Sequence, residues 1–508
     1  MSQLPNTAGR RVRGSDVALR IIGFILWFSF IIFCVGLNES HGLCCADNAW
    51  FAIIAKSLAN GLGYATTFGT FGETGRPILF NPFTGTGPTL IVPCAVAFKI
   101  FGKNELLPGL TAIFIWGSIL TLVLVRVSRR INGLSFLLGV SVMCAAFLAS
   151  FSFHFEQWYA FLGEIVAAAF LILAHWIISN ERFSERALLL CGLALGCAFQ
   201  AKLIAVIAAT GIVLVFFVRG IRVGFRPVRL VKYAVALLIG FMIPTLAFEA
   251  YKLFELGGHR YLANWQELLR ATKEMGVQGK LHVNLLVLKQ RIALVHDRFG
   301  VNFIEFLALI AFGVLLYWRS ASKNWVLLSA GLFFSVATTA IYWVTLSIGW
   351  VRYLVIAVAM GGFLLSIPIF TLESRPKLLF AILTLVVLRT GLSRVGYIVQ
   401  SADHGLFRPT TERLARASVV RIIDQRKRER PTTILASRWW GSFADVEFLL
   451  PGNMNFKRIE TVGELPEPKI ILLNHRFDPP QDELIDKIRA QTSSIIFAGG
   501  PYELVEVR

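Results

Sequence analysis

The sequence predicts a polytopic α-helical membrane protein with about eleven spans and a small α/β domain at its C-terminus. Three observations lead there. The 508 residues are 56% hydrophobic, with a mean hydropathy of +0.65. The apolar residues gather into blocks of about 18 to 22, the length that crosses a ~30 Å hydrocarbon core. Basic residues, in contrast, cluster in short segments between those blocks.

The first block, 17–36, is too long and too aromatic for the apolar region of a signal peptide, and no small-residue cleavage site follows it. It reads as a retained span. Arg10, Arg11, Arg13 and Arg20 precede it; Arg126, Arg129 and Arg130, then Arg182 and Arg186, then Arg219, Arg222, Arg226, Arg229 and Lys232 follow between later blocks. Arg319 with Lys323, and Arg375 with Lys377, complete the series. Short basic loops at alternate span ends are what the positive-inside rule predicts. The net charge of +19 is therefore topological, and nucleic acid is not an expected partner.

With a cytoplasmic N-terminus, the spans fall at 17–37, 107–126, 133–152, 158–178, 187–200, 203–218, 231–250, 299–318, 325–346, 353–372 and 377–396. The apolar stretch 90–101 is short and follows Pro88 and Pro93, so it reads as an interfacial or re-entrant helix. A membrane domain, 1–398, thus carries long external loops at 38–106 and 251–298; the second holds an amphipathic pattern around Trp265, Leu268, Leu269 and Thr272. Residues 399–508 form the soluble domain, placed on the external, periplasmic side. There, 411–428 reads as a helix with Leu414, Val419, Ile422 and Ile423 on its apolar side. Strands are expected at 432–436, 470–473 and 495–497, and a helix near 481–490.

Most of the seven cysteines lie in apolar blocks and read as small buried hydrophobes. Cys44 and Cys45 lie just outside the first span, where a disulfide to Cys94 is conceivable. Two adjacent thiols beside His41 lack the ligand spacing of a zinc site.

Acids are scarce in the membrane part, and a carboxylate within a bilayer tends to face a cavity or a partner. Asp47 opens an apolar helical pattern through Ile53, Ile54 and Leu58; taken alone it reads as an N-cap. The same loop then runs through Asn81-Pro82-Phe83-Thr84-Gly85-Thr86-Gly87-Pro88 into the interfacial helix. His154 and Glu156 fall in the turn after the third span, with Glu164 two turns into the fourth. Gln200 and Lys202 follow a Gly-rich span, and Trp350-Val351-Arg352-Tyr353 opens another from outside. Each has a plainer reading: Glu156 a solvated turn residue, Glu164 a bundle ion pair, Lys202 a snorkelling lysine, Arg352 an interface anchor, and His154 a hydrogen-bonding turn residue. Trp439 and Trp440 in the C-terminal domain suit either core packing or sugar stacking.

In their order, these motifs resemble the GT-C superfamily of membrane glycosyltransferases, which includes the dolichyl-phosphate-mannose–protein mannosyltransferases and the bacterial aminoarabinose transferases of lipid A. The resemblance spans about 10–400. It departs from the family where the paired first acids are replaced by Asp47-Asn48, and where a Glu-Lys-Pro-Pro element is absent near Asn81-Pro82. The resemblance implies an inverting transfer of a sugar from a polyprenyl-phosphate donor to a glycan, lipid or protein acceptor at the external face of the inner membrane. It further implies Asp47 as catalytic base, assisted by Glu156 or Glu164. Lys202 and Arg352 would bind the phosphate, with Tyr353, His154 and Glu164 lining the substrate site. The resemblance fixes no cofactor and leaves a divalent cation open. A transporter or flippase of a lipid-linked oligosaccharide is the alternative; internal repeats and helices broken at corresponding positions, frequent in transporters, are not seen in the sequence.

Overall fold

The structure is a computed structural model that describes residues 14–43, 45–68, 74–82, 84–150, 156–224, 227–275, 323–345, 351–370, 395–429, 433–436, 443–451, 456–458, 469–476 and 483–507, with single positions around 286–294 and at 389 and 391. Among these, seven helices are long and apolar enough to cross a membrane. They are Gly14–His41 (α1), Leu107–Ser128 (α4), Gly133–Ser150 (α5), Ala205–Arg222 (the short α8, Ala205–Ala208, with α9, Thr210–Arg222), Pro227–Arg270, Asn324–Thr345 and Arg352–Phe370. Two expected spans, 299–318 and most of 377–396, lie outside the described residues, as do His154, Trp439 and Trp440.

One helix is shorter than its expected span, and the next is slightly longer than its own. Gly163 adopts a left-handed φ of 87°, so helix α6 (Glu164–Asn180) begins at Glu164 itself rather than two turns earlier. Helix α7 (Glu185–Ala201) is N-capped by Ser184, whose hydroxyl accepts from Ala187 N at 3.3 Å, and it stops before Lys202. Helix α10 (Pro227–Met275) runs past the expected span end at 250; Gly257, at φ 70°, re-aims the chain, which then continues helical.

Between α1 and α4, the first loop folds into a short helix, α2 (Ala46–Ala59), a two-stranded antiparallel ribbon of β1 (Ala65–Phe68) and β2 (Thr74–Leu79), and the helix α3 (Pro88–Phe101). Proline at the first position of α3 leaves no N–H to satisfy there. Cys45 and Cys94 are free thiols, and Cys94 is buried in the core; Cys44 lies outside the described residues.

Close packing of aromatic rings sets the bundle. Phe147 and Trp158 meet at a tilt at 4.4 Å, and Trp116 and Phe30 each meet Trp158 edge-on, at 5.4 and 5.5 Å. The Trp158 indole donates to Ser150 Oγ (2.8 Å), and its carbonyl accepts from Trp116 (3.2 Å). The turn between α5 and α6 is therefore anchored at both its polar and its apolar atoms.

The C-terminal unit is a five-stranded mixed sheet, order β4-β3-β5-β7-β6, with β3 (Thr433–Ala436), β4 (Phe456–Arg458) and β5 (Lys469–Asn474) parallel. The strands β6 (Thr492–Gly499) and β7 (Tyr502–Val507) are antiparallel and close the edge. Alternation along β5 sends Ile470 and Leu472 to one face, with Val419 and Ile423 of helix Thr411–Glu429, and Ile471 and Leu473 to the other, with Ile485 and Ile488. β4, β7 and the short helix Ala444–Leu449 are not among the elements the sequence predicts.

The sheet unit is pinned to the first loop. Lys56 of α2 is 7% exposed and donates to three carbonyls at the end of helix Ala444–Leu449: Glu447 (3.3 Å), Phe448 (3.1 Å) and Leu450 (2.9 Å). Lys103 donates to Leu449 and Leu450 at 2.8 and 3.0 Å. Two ammonium groups thus meet the carbonyl end of one helix. Arg416, 1% exposed, donates to the carbonyls of Leu43 (2.7 Å) and His41 (3.1 Å) and to the carboxylates of Glu105 (2.9 Å) and Asp445 (3.4 Å). Burial opposes its charge, but Tyr502, Glu105 and Asp445 outweigh that and hold its pKa above the ordinary value.

Candidate functional site

Helix α2 begins at Ala46 with Cys45 at the N-cap, so Asp47 is a first-turn acid rather than the cap. Its carboxylate sits at the positive end of a helix, where negative charge is favoured. Arg352 Nη1 forms an ion pair with Asp47 Oδ2; the two residues are 305 positions apart, and their side chains are 20% and 26% exposed. A 3₁₀ turn, Val351–Leu354, sets Arg352 at the start of the last described span, and its guanidinium carbon lies 5.8 Å from the Tyr353 ring centre. Neighbouring Asn48 is 1% exposed and accepts from Phe161 N at 3.2 Å, tying α2 to the turn before α6.

One turn beyond Asp47, Phe51 faces a second ion pair. Lys202 Nζ lies 5.4 Å from the Phe51 ring centre and 2.9 Å from Glu164 Oε1. Both side chains are almost fully buried, at 6% and 0% exposure. Lys202 also donates to Leu162 O (3.1 Å) and Thr86 Oγ1 (3.4 Å), while Thr86 Oγ1 donates to Leu162 O (2.8 Å). Backbone approach makes this knot possible: Thr86 and Lys202 form an isolated antiparallel bridge, and Gly87 N donates to Ala201 O at 3.3 Å. A Cβ on Gly87 would stand 2.1 Å from Gln200 O, so only glycine fits. Lys202 is thus neither a snorkelling lysine nor a solvated one; it is the hub joining the first loop, α6 and α7.

Glu156 lies apart from these pairs. Its carbonyl accepts from Ala160 N (2.7 Å), and its carboxylate is 3.6 Å from Arg476 of the C-terminal unit, which also reaches Glu412 at 3.2 Å. The three acids therefore each meet a different cation, and among the described residues no group of three or more His, Cys, Asp or Glu could hold a metal ion.

A cleft of about 130 Å³ opens on the other side of Thr86, between Asn81–Gly87 and α10. Its polar wall comes from Gln200, Glu249, Lys252, Asn264 and Trp265. Of these, Gln200 and Trp265 belong to patterns the sequence shows, and neither is a site residue it predicts. The available signal was Glu249 and Lys252, spaced i and i+3 at the end of an apolar block, where ionisable residues face a cavity or a partner.

Two solved structures share this architecture. ArnT from Cupriavidus metallidurans in the apo state superposes with a TM-score of 0.58 and 13% identity, and the same protein bound to undecaprenyl phosphate superposes with a TM-score of 0.55 and 12% identity. Each match covers 97% of this chain and 98% of ArnT. No protein-family model and no curated protein matches the chain. At such identities the likeness is one of fold: this chain shares with ArnT a bundle of membrane-length helices followed by a small C-terminal sheet.

Proposed function

We propose that the protein is an inverting glycosyltransferase that moves a sugar from a polyprenyl-phosphate carrier to a glycan, lipid or protein acceptor of the cell envelope, at the external face of the inner membrane. The observation that carries this reading is the Asp47–Arg352 ion pair, assembled from distant segments within the ArnT-like fold. The undecaprenyl phosphate bound by the ArnT neighbour supports the same class of carrier here.

Polyprenyl phosphate is a competent leaving group, so the protein need only take a proton from the acceptor and stabilise the departing phosphate. In the proposed step the acceptor hydroxyl oxygen attacks the anomeric carbon as its proton passes to Asp47. The bond between that carbon and the phosphate oxygen breaks on the opposite side, and the phosphate leaves with the electron pair. Arg352 pairs with Asp47 beforehand and offers its planar guanidinium to the phosphate as charge develops there. Lys202 is held by Glu164, Thr86 and Leu162, so we assign it to shaping the site, where the resemblance implied direct phosphate contact. Glu156 orients the turn against the C-terminal unit through Arg476.

The test is transfer of radiolabelled sugar from a panel of polyprenyl-phosphate donors to envelope acceptors, with anomeric configuration read by NMR. Transfer with inversion that is lost in a folded Asp47→Asn variant supports the reading. Transfer with retained configuration, or none from any donor, overturns it.

A further inference from the structure

The cleft beside Thr86 holds polar groups that the protein does not satisfy. Lys252 is 5% exposed, yet among the described residues its ammonium makes no hydrogen bond or ion pair; it meets only the ring faces of Trp265 (4.9 Å) and Tyr261 (5.6 Å). Thr84 Oγ1 is buried without a hydrogen-bond partner. Gln200, 7% exposed, likewise makes no side-chain hydrogen bond among the described residues. Buried polar groups are normally paired, and three unpaired ones around a single cleft point to a ligand that completes them.

The charge pattern identifies the kind of ligand. Glu249, three residues before Lys252 on the same helix, lines the cleft with it, and its Oε2 accepts from Tyr261 Oη (2.9 Å) and Trp265 Nε1 (3.0 Å). One carboxylate and one ammonium leave the cleft without net charge, and a phosphate entering it would face the Glu249 carboxylate. A carboxylate acceptor, an ammonium donor, and an amide and a hydroxyl that do both match vicinal hydroxyl groups, each of which donates and accepts. Phe80, Phe248 and Trp265 supply apolar walls. Asn264 holds the cleft closed at one end by donating to Phe80 O at 2.8 Å.

We propose that this cleft is a monosaccharide subsite, in which Lys252, Gln200, Thr84 and Glu249 bind the hydroxyl groups of one uncharged sugar ring. The assignment rests on the glycosyltransferase reading, which it deepens. Thr86 lines the cleft and is bonded to Lys202, so the subsite is joined to the Lys202–Glu164 knot and through Phe51 to the helix that carries Asp47.

Saturation-transfer NMR on the full-length protein in lipid nanodiscs tests it, with methyl glycosides, inorganic phosphate and undecaprenyl phosphate as separate probes. At least one uncharged glycoside receives saturation from the wild type. Its affinity falls about fivefold or more in each of Lys252→Met, Gln200→Leu and Thr84→Val, the worth of one net hydrogen bond. Thr84→Val is nearly isosteric, so loss of binding at unchanged Tm in that variant separates recognition from misfolding. No glycoside binding to the wild type, binding undiminished in Thr84→Val and Lys252→Met, or binding of inorganic phosphate alone overturns the subsite. Undecaprenyl phosphate binding without glycoside binding removes the subsite and leaves the proposed function standing. The converse result removes the proposed carrier and leaves the subsite standing.

Discussion

Arg352 and Asp47, 305 residues apart in sequence, form an ion pair at the mouth of a helix in the first loop. The side chains are partly exposed, so the pair is available to a substrate while still shielded enough for its charges to matter.

Replacing the proposed base should abolish transfer without unfolding the chain. Asp47→Asn is expected to lower kcat by about 10²–10⁴-fold, the usual contribution of a positioned base. Arg352→Lys keeps the charge but loses the planar fork, so it should retain the fold and lower kcat/KM by at least tenfold or so. Equal kinetics in Arg352→Lys and wild type would show that the guanidinium geometry plays no part.

The Lys202–Glu164 pair should behave as a structural unit. Removing one partner leaves a buried charge uncompensated, at about 3–5 kcal/mol. Glu164→Gln and Lys202→Met should each lower the Tm sharply, and the double variant should recover much of the loss. Additive losses in thermal melts of the purified proteins would contradict the coupling.

Lys56 gives the docking of the C-terminal unit a pH dependence. Burial, with Lys103 nearby, lowers its pKa from 10.5 to about 8. Between those values the unfolded chain holds a proton that the folded protein gives up, so stability rises with pH across that window. The burial cost is fully present below about pH 8. Thermal melts from pH 7 to 10.5 should show this rise in the wild type and a flatter profile in Lys56→Met.

Arg416 should decide whether the C-terminal unit stays attached. Arg416→Met leaves Glu105, Asp445 and the carbonyls of His41 and Leu43 without their shared donor. Limited proteolysis should then release the 411–507 region faster than in the wild type, and transfer should fall even though Arg416 lies outside the reacting centre. Unchanged proteolysis would place the docking energy in Lys56 and Lys103.

Much of the fold was legible because a bilayer demands it: apolar blocks, basic turns and the proline-led interfacial helix each follow from local composition. Asp47 and Arg352 were legible as candidates, because an acid in the first loop and an arginine at a span end are conspicuous against so apolar a chain. Their pairing was not, since nothing local records which of many span ends meet. Glu164 was misplaced by two turns because periodicity continues through Trp158–Leu162; only the left-handed Gly163 stops the helix from starting earlier.

The sequence by itself determined the membrane class, the first-loop helices and the α/β character of the C-terminal unit, because hydropathy and periodicity are properties of neighbouring residues. Tertiary structure alone decided that Lys202 is committed to Glu164, that Glu156 faces Arg476, and that Lys252, Gln200 and Thr84 share one cleft. These outcomes depend on close backbone contacts between distant segments, such as Gly87 against Gln200 and Ala201. Which partner a charged group acquires is set by that packing, not by the residues beside it in the chain.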